Sequence, residues 1–450
     1  MDTIPQSQIL RRLETENPWW AEPHEAPTLY RRWRPRPYLE QFFPLLSSRA
    51  VRRAIVLLGP RRVGKTVLIH HAIQRLLASG VPPQRICYVS LDNPLYVGMS
   101  LEQILEVFRA ATETDYPREE SFVFFDEIQY LRDWERHLKS LVDSFPAVKA
   151  VASGSAAAAL RLKSTESGAG RFTDFLLPPL SFFEYLEVTG STLLGTEASV
   201  EALNGELIRY LNFGGYPEAV FSPEIHADPG RFLKSDIIDK VLLRDLPSLY
   251  GIQDIQELNS LFTTLAFNTA NEVSIDQLAQ KSGVAKNTIR RYLEYLEAAF
   301  LIRVVHRVDK DARHFKRALA FKVYLTNPSI RTALFGPLGP DDEAAGALVE
   351  TAVFAQFPWP SLLHYARWNK GEVDLVRLSP DQSIEQAIEV KWSDRLLARP
   401  EELGEALDFC RKNDLADLTV TTRTGTAEKE LNGVKVRFVP AARFCLEIAK

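Results

Sequence analysis

The stretch "AIVLLGPRRVGKT", residues 54–66, decides how the first half of the chain is read. A short apolar run, "AIVLLG", reads as a buried strand, and a helical pattern over 65–79 follows it. Between them the spacing G-x-x-x-x-G-K-[ST] falls on Gly59, Gly64, Lys65 and Thr66, with Pro60, Arg61, Arg62 and Val63 completing the loop. Glycines let such a loop curl until its backbone N–H groups face inward at phosphates, and the helix N-terminus adds partial positive charge. Lys65 is expected at the β- and γ-phosphates of ATP, and the Thr66 hydroxyl on Mg²⁺.

Working outward, "ICYVSLD", "SFVFFDE" and "VKAVASGS" read as further strands, separated by helices over 101–111 and 134–143. Strands alternating with helices imply crossovers and a parallel sheet covered on both faces. Asp126, at the end of "FVFFDE", is expected to hold the Mg²⁺, and Glu127 to polarise the attacking water. Ser155, with Ser153 as the alternative, is expected to sense the γ-phosphate.

Residues 181–260 are mostly helical in pattern. In "SIDQLAQKSGVAKNTIRRYLEYLEAAFLIRVV", Ile275, Leu278 and Ala279 recur at helical spacing, Gly283 permits a tight turn, and a second helix runs through Ile289, Leu293 and Leu296. This is the arrangement of a winged helix. Lys286, Asn287, Thr288, Arg290 and Arg291 fall on the first turns of the second helix, where base edges and phosphates are met. Arg303 with Arg307, and Arg313 with Lys316 and Arg317, would extend a phosphate-tracking surface; a solvated, protein-packing wing is the competing reading.

Near the end, "EVDLVRLSPDQSIEQAIEVKW", residues 372–392, places acids where a plain sheet would carry valine. Alternation along "IEQAIEVKW" sends Glu389 and Lys391 to one side. If "VDLVRL" pairs with it, Asp374 lies beside Glu389, and two adjacent carboxylates repel unless a cation joins them. Mg²⁺ prefers oxygen ligands and keeps several waters, so Asp374 and Glu389 are candidate metal ligands and Lys391 a candidate to position water. A cross-strand surface ion pair, worth about 0–1 kcal/mol, is the alternative for Glu389 and Lys391.

The totals are those expected of an ordinary soluble globular protein. The 450 residues suggest about three domains, 46% are apolar and 25% charged, and no run approaches the ~18 apolar residues a spanning helix needs. Only Cys87, Cys410 and Cys445 are present, and "MDTIPQSQILRRLE" lacks the apolar core of a secretory signal, so a reducing cytoplasm and no membrane partner are expected. The net charge of −4 conceals eleven arginines against six acids over 1–62 and ten Lys/Arg against four acids over 280–317. Both stretches are candidate polyanion surfaces.

Taken in order, "GPRRVGKT", "SLDNP", "FFDEIQ", "ASGSAA", "GAGRF", "LLPPLSFFEYL", "GGYPEA" and "IEVKW" resemble the prokaryotic AAA-type P-loop ATPases that end in the domain of unknown function 4143, over about residues 50 to 450. The resemblance implies that Arg171 stabilises charge on the γ-phosphate, in cis or from a neighbouring subunit, with Arg161 and Arg244 as alternatives. It also implies that Gly214, Gly215 and Pro217 shape a turn between an ATPase core and its helical lid, and that a self-oligomer is possible. The spacing D-x14-E-x-K resembles the PD-(D/E)xK and Holliday-junction-resolvase-like nucleases, with Glu350 in the preceding-helix position and no proline ahead of Asp374.

The expected architecture is α/β: an Arg/Trp/Pro-rich arm (1–45), a P-loop ATPase parallel sheet (46–180), a helical lid (181–260), a winged-helix module (261–335), and a C-terminal α/β restriction-endonuclease-like domain (345–450). The function expected from it is ATP hydrolysis coupled to Mg²⁺-dependent cutting of branched or double-stranded DNA. The alternative is an ATP-dependent regulatory switch whose last domain binds DNA or a partner without cutting.

Overall fold

The computed structural model describes residues 5–21, 30, 32–48, 50–155, 170–195, 198–308, 320–359 and 362–449. The chain divides after Pro178 into two units.

In the first unit the strands are β1 (Ala54–Leu58), β2 (Ile86–Ser90), β3 (Ser121–Asp126), β4 (Val148–Gly154) and β5 (Phe172–Leu176). They form one parallel sheet in the order β2-β3-β4-β1-β5. β1, β3 and β4 are buried along their whole length, as a parallel sheet with helices on both faces demands. Their near-continuous apolar sequences follow from that burial. The helices Lys65–Ala78, Leu101–Thr112 and Trp134–Ser144 lie between the strands, and the second starts with a capping box in which Ser100 and Gln103 satisfy each other's backbone N–H groups. The edge strand β5 carries no apolar run and was not anticipated.

The N-terminal arm is structural where it is described. After the helix Gln6–Glu16, Asn17 lies against the open edge of β2. Its Nδ2 donates to the Tyr88 carbonyl at 2.8 Å, and the Tyr88 N–H donates to its Oδ1 at 2.6 Å. The indoles of Trp19 and Trp20 both donate to the Ile86 carbonyl, at 3.1 and 2.8 Å. One amide and two indoles thus engage an edge that would otherwise offer unpaired backbone to another chain. Arg36, read from sequence as part of a polyanion surface, is buried: its Nη1 donates to the carbonyls of Val63 and Pro178, at 3.0 and 2.9 Å. A guanidinium engaged with carbonyls in the interior is not offered to a polyanion. Arg31 lies outside the described residues.

The second unit begins with the helices Phe182–Val188 and Val200–Phe213. Gly214 and Gly215 follow, where close approach excludes a side chain: a Cβ on Gly214 would stand 2.7 Å from Tyr210 Cα, and one on Gly215 2.3 Å from Asn327 Oδ1. Short helical segments over 217–250 lead to the helix Ile255–Phe267. Then come β6 (Glu272–Ser274), the helices Ile275–Ser282 and Lys286–Ala298, β7 (Ile302–Val308) and β8 (Ala320–Leu325). After the helices Ser329–Phe335 and Ala345–Gln356 the remaining strands are β9 (Leu363–Trp368), β10 (Gly371–Leu378), β11 (Ile384–Glu389), β12 (Asp417–Thr422), β13 (Ala427–Leu431) and β14 (Val434–Pro440).

The nine strands among the described residues of this unit belong to one mixed sheet, ordered β13-β14-β12-β11-β10-β9-β7-β8-β6. A break between the hairpin-bearing module and the final domain was expected at 335–345. Instead β7 pairs in parallel with β9 through Arg307 opposite Tyr365 and Val308 opposite Ala366. The helices Ala345–Gln356 and Ala441–Ala449 share one apolar core with Leu375 and Ile388, while the helix Gly404–Lys412 packs in another with Val376 and Ala387. The sheet is therefore covered on both sides in this region.

Candidate functional site

The phosphate-type loop leaves β1 at its carboxyl end, at the rim where ligands bind in open α/β sheets. Gly59 is required by close packing, since a Cβ there would come within 2.3 Å of the Leu177 carbonyl oxygen, and Gly64 by its φ of +94°. Lys65 is buried and its Nζ donates to the Gly59 and Pro60 carbonyls, at 3.0 and 2.9 Å, so the ammonium lies across the loop. Burial lowers its pKa, an effect partly opposed by Glu127 and Asp126.

Asp126 gathers the neighbouring strands. Thr66 Oγ1 donates to its Oδ2 at 2.6 Å, the Tyr88 hydroxyl donates to the same oxygen at 2.8 Å, and Ser153 Oγ donates to Oδ1. A hydroxyl and a carboxylate so placed suit Mg²⁺, which takes hard oxygen ligands and a substrate phosphate. Glu127 follows in a left-handed conformation, φ +54°, with its N–H shared between Asp126 Oδ1 and Ser153 Oγ, each at 3.2 Å. Gln129 Nε2 donates to its carboxylate. Burial raises the Glu127 pKa against the pull of Lys65, which disposes the group to accept a proton. Gln129 Oε1 in turn accepts from the Ser155 N–H at 3.3 Å, and the buried Ser155 Oγ has no hydrogen-bond partner among the described residues. Of the two alternatives, Ser153 touches the acids directly and Ser155 is linked to them only through Gln129.

Arg171 is elsewhere. β5 runs parallel to β1 with Phe172 opposite Ala54, so Arg171 lies at the amino end of the sheet and the loop at the carboxyl end. Four steps at about 3.3 Å each leave roughly 13 Å of strand between them. Its Nε pairs with Asp143 at 3.1 Å. The expected cis contact with a phosphate held at the loop does not fit this geometry. Arg244 is exposed in the second unit, and Arg161 lies outside the described residues.

On the helix Lys286–Ala298, Ile289, Leu293 and Leu296 are buried while Lys286, Asn287, Arg290 and Arg291 are exposed. Lys286 pairs with Asp276 at 2.6 Å, and Arg290 donates to Asn287 at 2.8 Å. Arg303 does not belong to that surface. It is 8% exposed, with the rings of Phe354 and Trp359 each 4.3 Å from its guanidinium, and burial lowers its pKa to about 10. Two aromatic faces and the core take the place of phosphates there. Arg313, Lys316 and Arg317 lie outside the described residues.

The four side chains expected at the end of the chain do converge. Asp374 stands on β10, one step beyond the pairing of Leu375 with Ile388, and accepts the Val390 N–H at 2.9 Å. Lys391 Nζ lies 2.8 Å from Asp374 Oδ2 and 2.8 Å from Glu389 Oε1. Glu350, from the helix Ala345–Gln356, joins through a residue that sequence reasoning missed: Lys322 Nζ lies 2.9 Å from Glu350 Oε1 and 3.3 Å from Asp374 Oδ1. Tyr324, two residues along β8, donates to Glu350 Oε1 at 2.6 Å. The available signal was a lysine inside the apolar run "ALAFKVYL".

Burial pushes Glu389 up to about 8 and Glu350 up to about 7, with Asp374 adding repulsion to each. Burial also acts to raise Asp374, but Lys391 and Lys322 hold it below the usual carboxylate range. For both lysines the carboxylates outweigh burial and raise the pKa. The second oxygen of Glu389 is buried without a hydrogen-bond partner among the described residues. Among the described residues no group of three or more His, Cys, Asp and Glu side chains could hold a metal ion. Mg²⁺, however, is commonly held by one or two carboxylates plus phosphate and water, and Asp374 with the orphaned Glu389 oxygen fits that requirement.

Comparison with known proteins assigns the parts unequally. A family model described as an AAA domain matches residues 51–186, and that of a domain of unknown function (DUF8612), a different one from domain 4143, matches residues 204–341. An uncharacterized protein of Methanocaldococcus jannaschii is 26% identical over 256 residues, 55% of this chain and 55% of that protein. The chain thus spans about half the length of this relative. An uncharacterized protein of Haemophilus influenzae is 25% identical over 309 residues, 67% of this chain and 73% of that protein. Among solved structures, a Walker-type ATPase of Pyrococcus abyssi superposes with a TM-score of 0.43 at 18% identity, covering 66% of this chain and 95% of that one. Among the described residues no helix is long and apolar enough to cross a membrane.

Proposed function

We propose that this chain hydrolyses ATP in its first unit and, in its second, binds DNA and cuts its backbone at the Asp374 cluster. The AAA-domain match and the convergence of Thr66, Tyr88 and Ser153 on Asp126 support the ATPase half. The loop N–H groups and Lys65 bind the phosphates, and Glu127 takes the proton as water attacks the γ-phosphorus and the bond to the β-phosphate oxygen breaks. Thr66 and Asp126 would hold Mg²⁺, which would supply neutralising charge to the phosphates.

The observation that carries the nuclease half is the single Lys391 ammonium set between Asp374 and Glu389. Asp374 and Glu389 would hold a divalent ion, which would supply Lewis acidity toward the phosphodiester. Lys391 orients the attacking water and offsets the charge that gathers as a phosphorus–oxygen bond breaks. The helices Ile275–Ser282 and Lys286–Ala298 with the β7–β8 hairpin serve as a winged helix, bringing Lys286, Asn287, Arg290 and Arg291 to DNA. Branched DNA remains the favoured substrate class, on the resolvase-like set Glu350, Asp374, Glu389 and Lys391. The test is to incubate the protein with labelled four-way junction, fork and duplex DNA, Mg²⁺ and ATP. Cutting that Asp374→Ala and Lys391→Ala abolish while ATP hydrolysis persists supports the reading.

One observation favours a second reading, the ATP-driven switch. Lys322 adds a second cation to the cluster and leaves Asp374 neutralised from two sides. No cleavage of any of these DNAs by the unaltered protein, with or without ATP, favours the switch.

A further inference from the structure

Two ammonium groups organise the acid cluster, and they are held very differently. Lys391 bridges Asp374 and Glu389, whereas Lys322 bridges Asp374 and Glu350. Asp374 is common to both bridges, with one oxygen turned to each. Two cations sharing one carboxylate is the arrangement that a pair of divalent ions adopts in two-metal phosphoryl-transfer sites, where the ions sit about 3.5–4 Å apart.

Lys391 follows the end of β11 and its side chain is 35% exposed, so it can turn outward and yield its place to an incoming ion. Lys322 cannot. Its side chain is 4% exposed, and β8 is paired on both sides, with Lys322 opposite Val305 of β7 and Glu272 of β6. The Tyr324 hydroxyl holds the same Glu350 oxygen that Lys322 contacts, and the Tyr365 ring stands 5.6 Å from the ammonium. Withdrawing it would break sheet pairing and strand two buried carboxylates, each costing more than an ordinary hydrogen bond.

We propose that Lys322 is a fixed, protein-borne substitute for a second divalent ion, so that the cluster accepts one ion, at Asp374 and Glu389, and never a second at Glu350. This rests on the metal-site reading above and extends it by assigning the Glu350 side of the cluster to an amine. It also makes β8, a strand of the DNA-binding module, a wall of the cutting site.

The test counts Mn²⁺ bound per chain by electron paramagnetic resonance, without nucleotide, in the full-length protein. Ions lost in Asp374→Asn define those belonging to the cluster. One such ion in the unaltered protein and two in Lys322→Met is the expected result; Lys322→Arg, which keeps the charge, should remain at one. Lys322→Gln is measured alongside, in case Lys322→Met does not fold. Two ions in the unaltered protein, or one in a folded Lys322→Met or Lys322→Gln, overturns the proposal while leaving the metal site intact. No Mn²⁺ at the cluster in any variant overturns both.

Discussion

The Tyr88 hydroxyl donates to Asp126 Oδ2 across 2.8 Å, from the strand next to the one that carries the acid. The oxygen it touches is also the one that Thr66 touches. Tyr88 therefore fixes the carboxylate rotamer that presents Asp126 to the nucleotide site. Tyr88→Phe keeps the ring and removes only this bond. Hydrogen bonds to charged groups contribute about 1.5–3 kcal/mol, so Tm should fall by a few degrees and ATP turnover roughly tenfold or more. Phosphate release at saturating ATP measures it, and an unaltered rate would refute the role.

Arg36 ties the loop carbonyl of Val63 to that of Pro178. Arg36→Ala removes both bonds and leaves two carbonyls without that donor, at about 1–3 kcal/mol each. The affinity for an ATP analogue should drop by about an order of magnitude and Tm should fall. Calorimetric titration and a thermal melt give the two readouts; unchanged nucleotide affinity in a folded variant would contradict the link.

The cap on β2 is testable by stability alone. Asn17→Ala strips the Tyr88 N–H and carbonyl of their partner in a buried place, a loss of about 2–6 kcal/mol from two unmade bonds. The first thermal transition should shift down by several degrees and aggregation above it should increase. A variant that melts like the parent would show the edge is satisfied otherwise.

Glu389 and Glu350 impose a pH dependence of definite sign. Their carboxyls titrate near 8 and 7 in the folded chain, against an ordinary value of 4.5. Between these limits the folded state holds protons that the unfolded chain has released, so stability falls as pH rises from about 4.5 to about 8. Asp374 acts oppositely, its lowered pKa adding stability that is lost as pH falls below its ordinary 3.8. In metal-free buffer Tm should therefore decline from pH 6 to pH 9, and Glu389→Gln should flatten the decline. A slope unchanged in Glu389→Gln would mean the group is not the source.

Arg290 and Arg291 stand exposed on the helix Lys286–Ala298. Replacing either by Ala should weaken duplex binding and reduce the slope of log affinity against log salt by about one, since each phosphate contact releases about one counterion. Fluorescence anisotropy at several salt concentrations reads both. Identical slopes would remove these arginines from any DNA contact.

How much of this was legible in the sequence depends on whether the information was local. The loop at 59–66 was, because its spacing is fixed by one turn between one strand and one helix. Asp374, Glu389 and Lys391 were, because alternation along two adjacent strands is enough to bring them together. Lys322 was not: it reaches Asp374 from 52 residues away through β8, and no periodicity encodes which strand lies nearby. Arg303 misled because its charge is visible in sequence while the Phe354 and Trp359 faces that enclose it are not. The arm misled similarly, since Asn17 and Trp19 declare nothing until β2 is known to be an edge.

The two rungs that join β7 to β9 have a practical meaning for anyone dissecting this chain. A scissor placed between the portion with the helices Ile275–Ser282 and Lys286–Ala298 and the acid-bearing portion would cut through a shared fabric, leaving one raw border on each fragment and removing Lys322 from its carboxylates. Excised pieces of that kind should be sticky and inert, whereas a division after Pro178 severs neither.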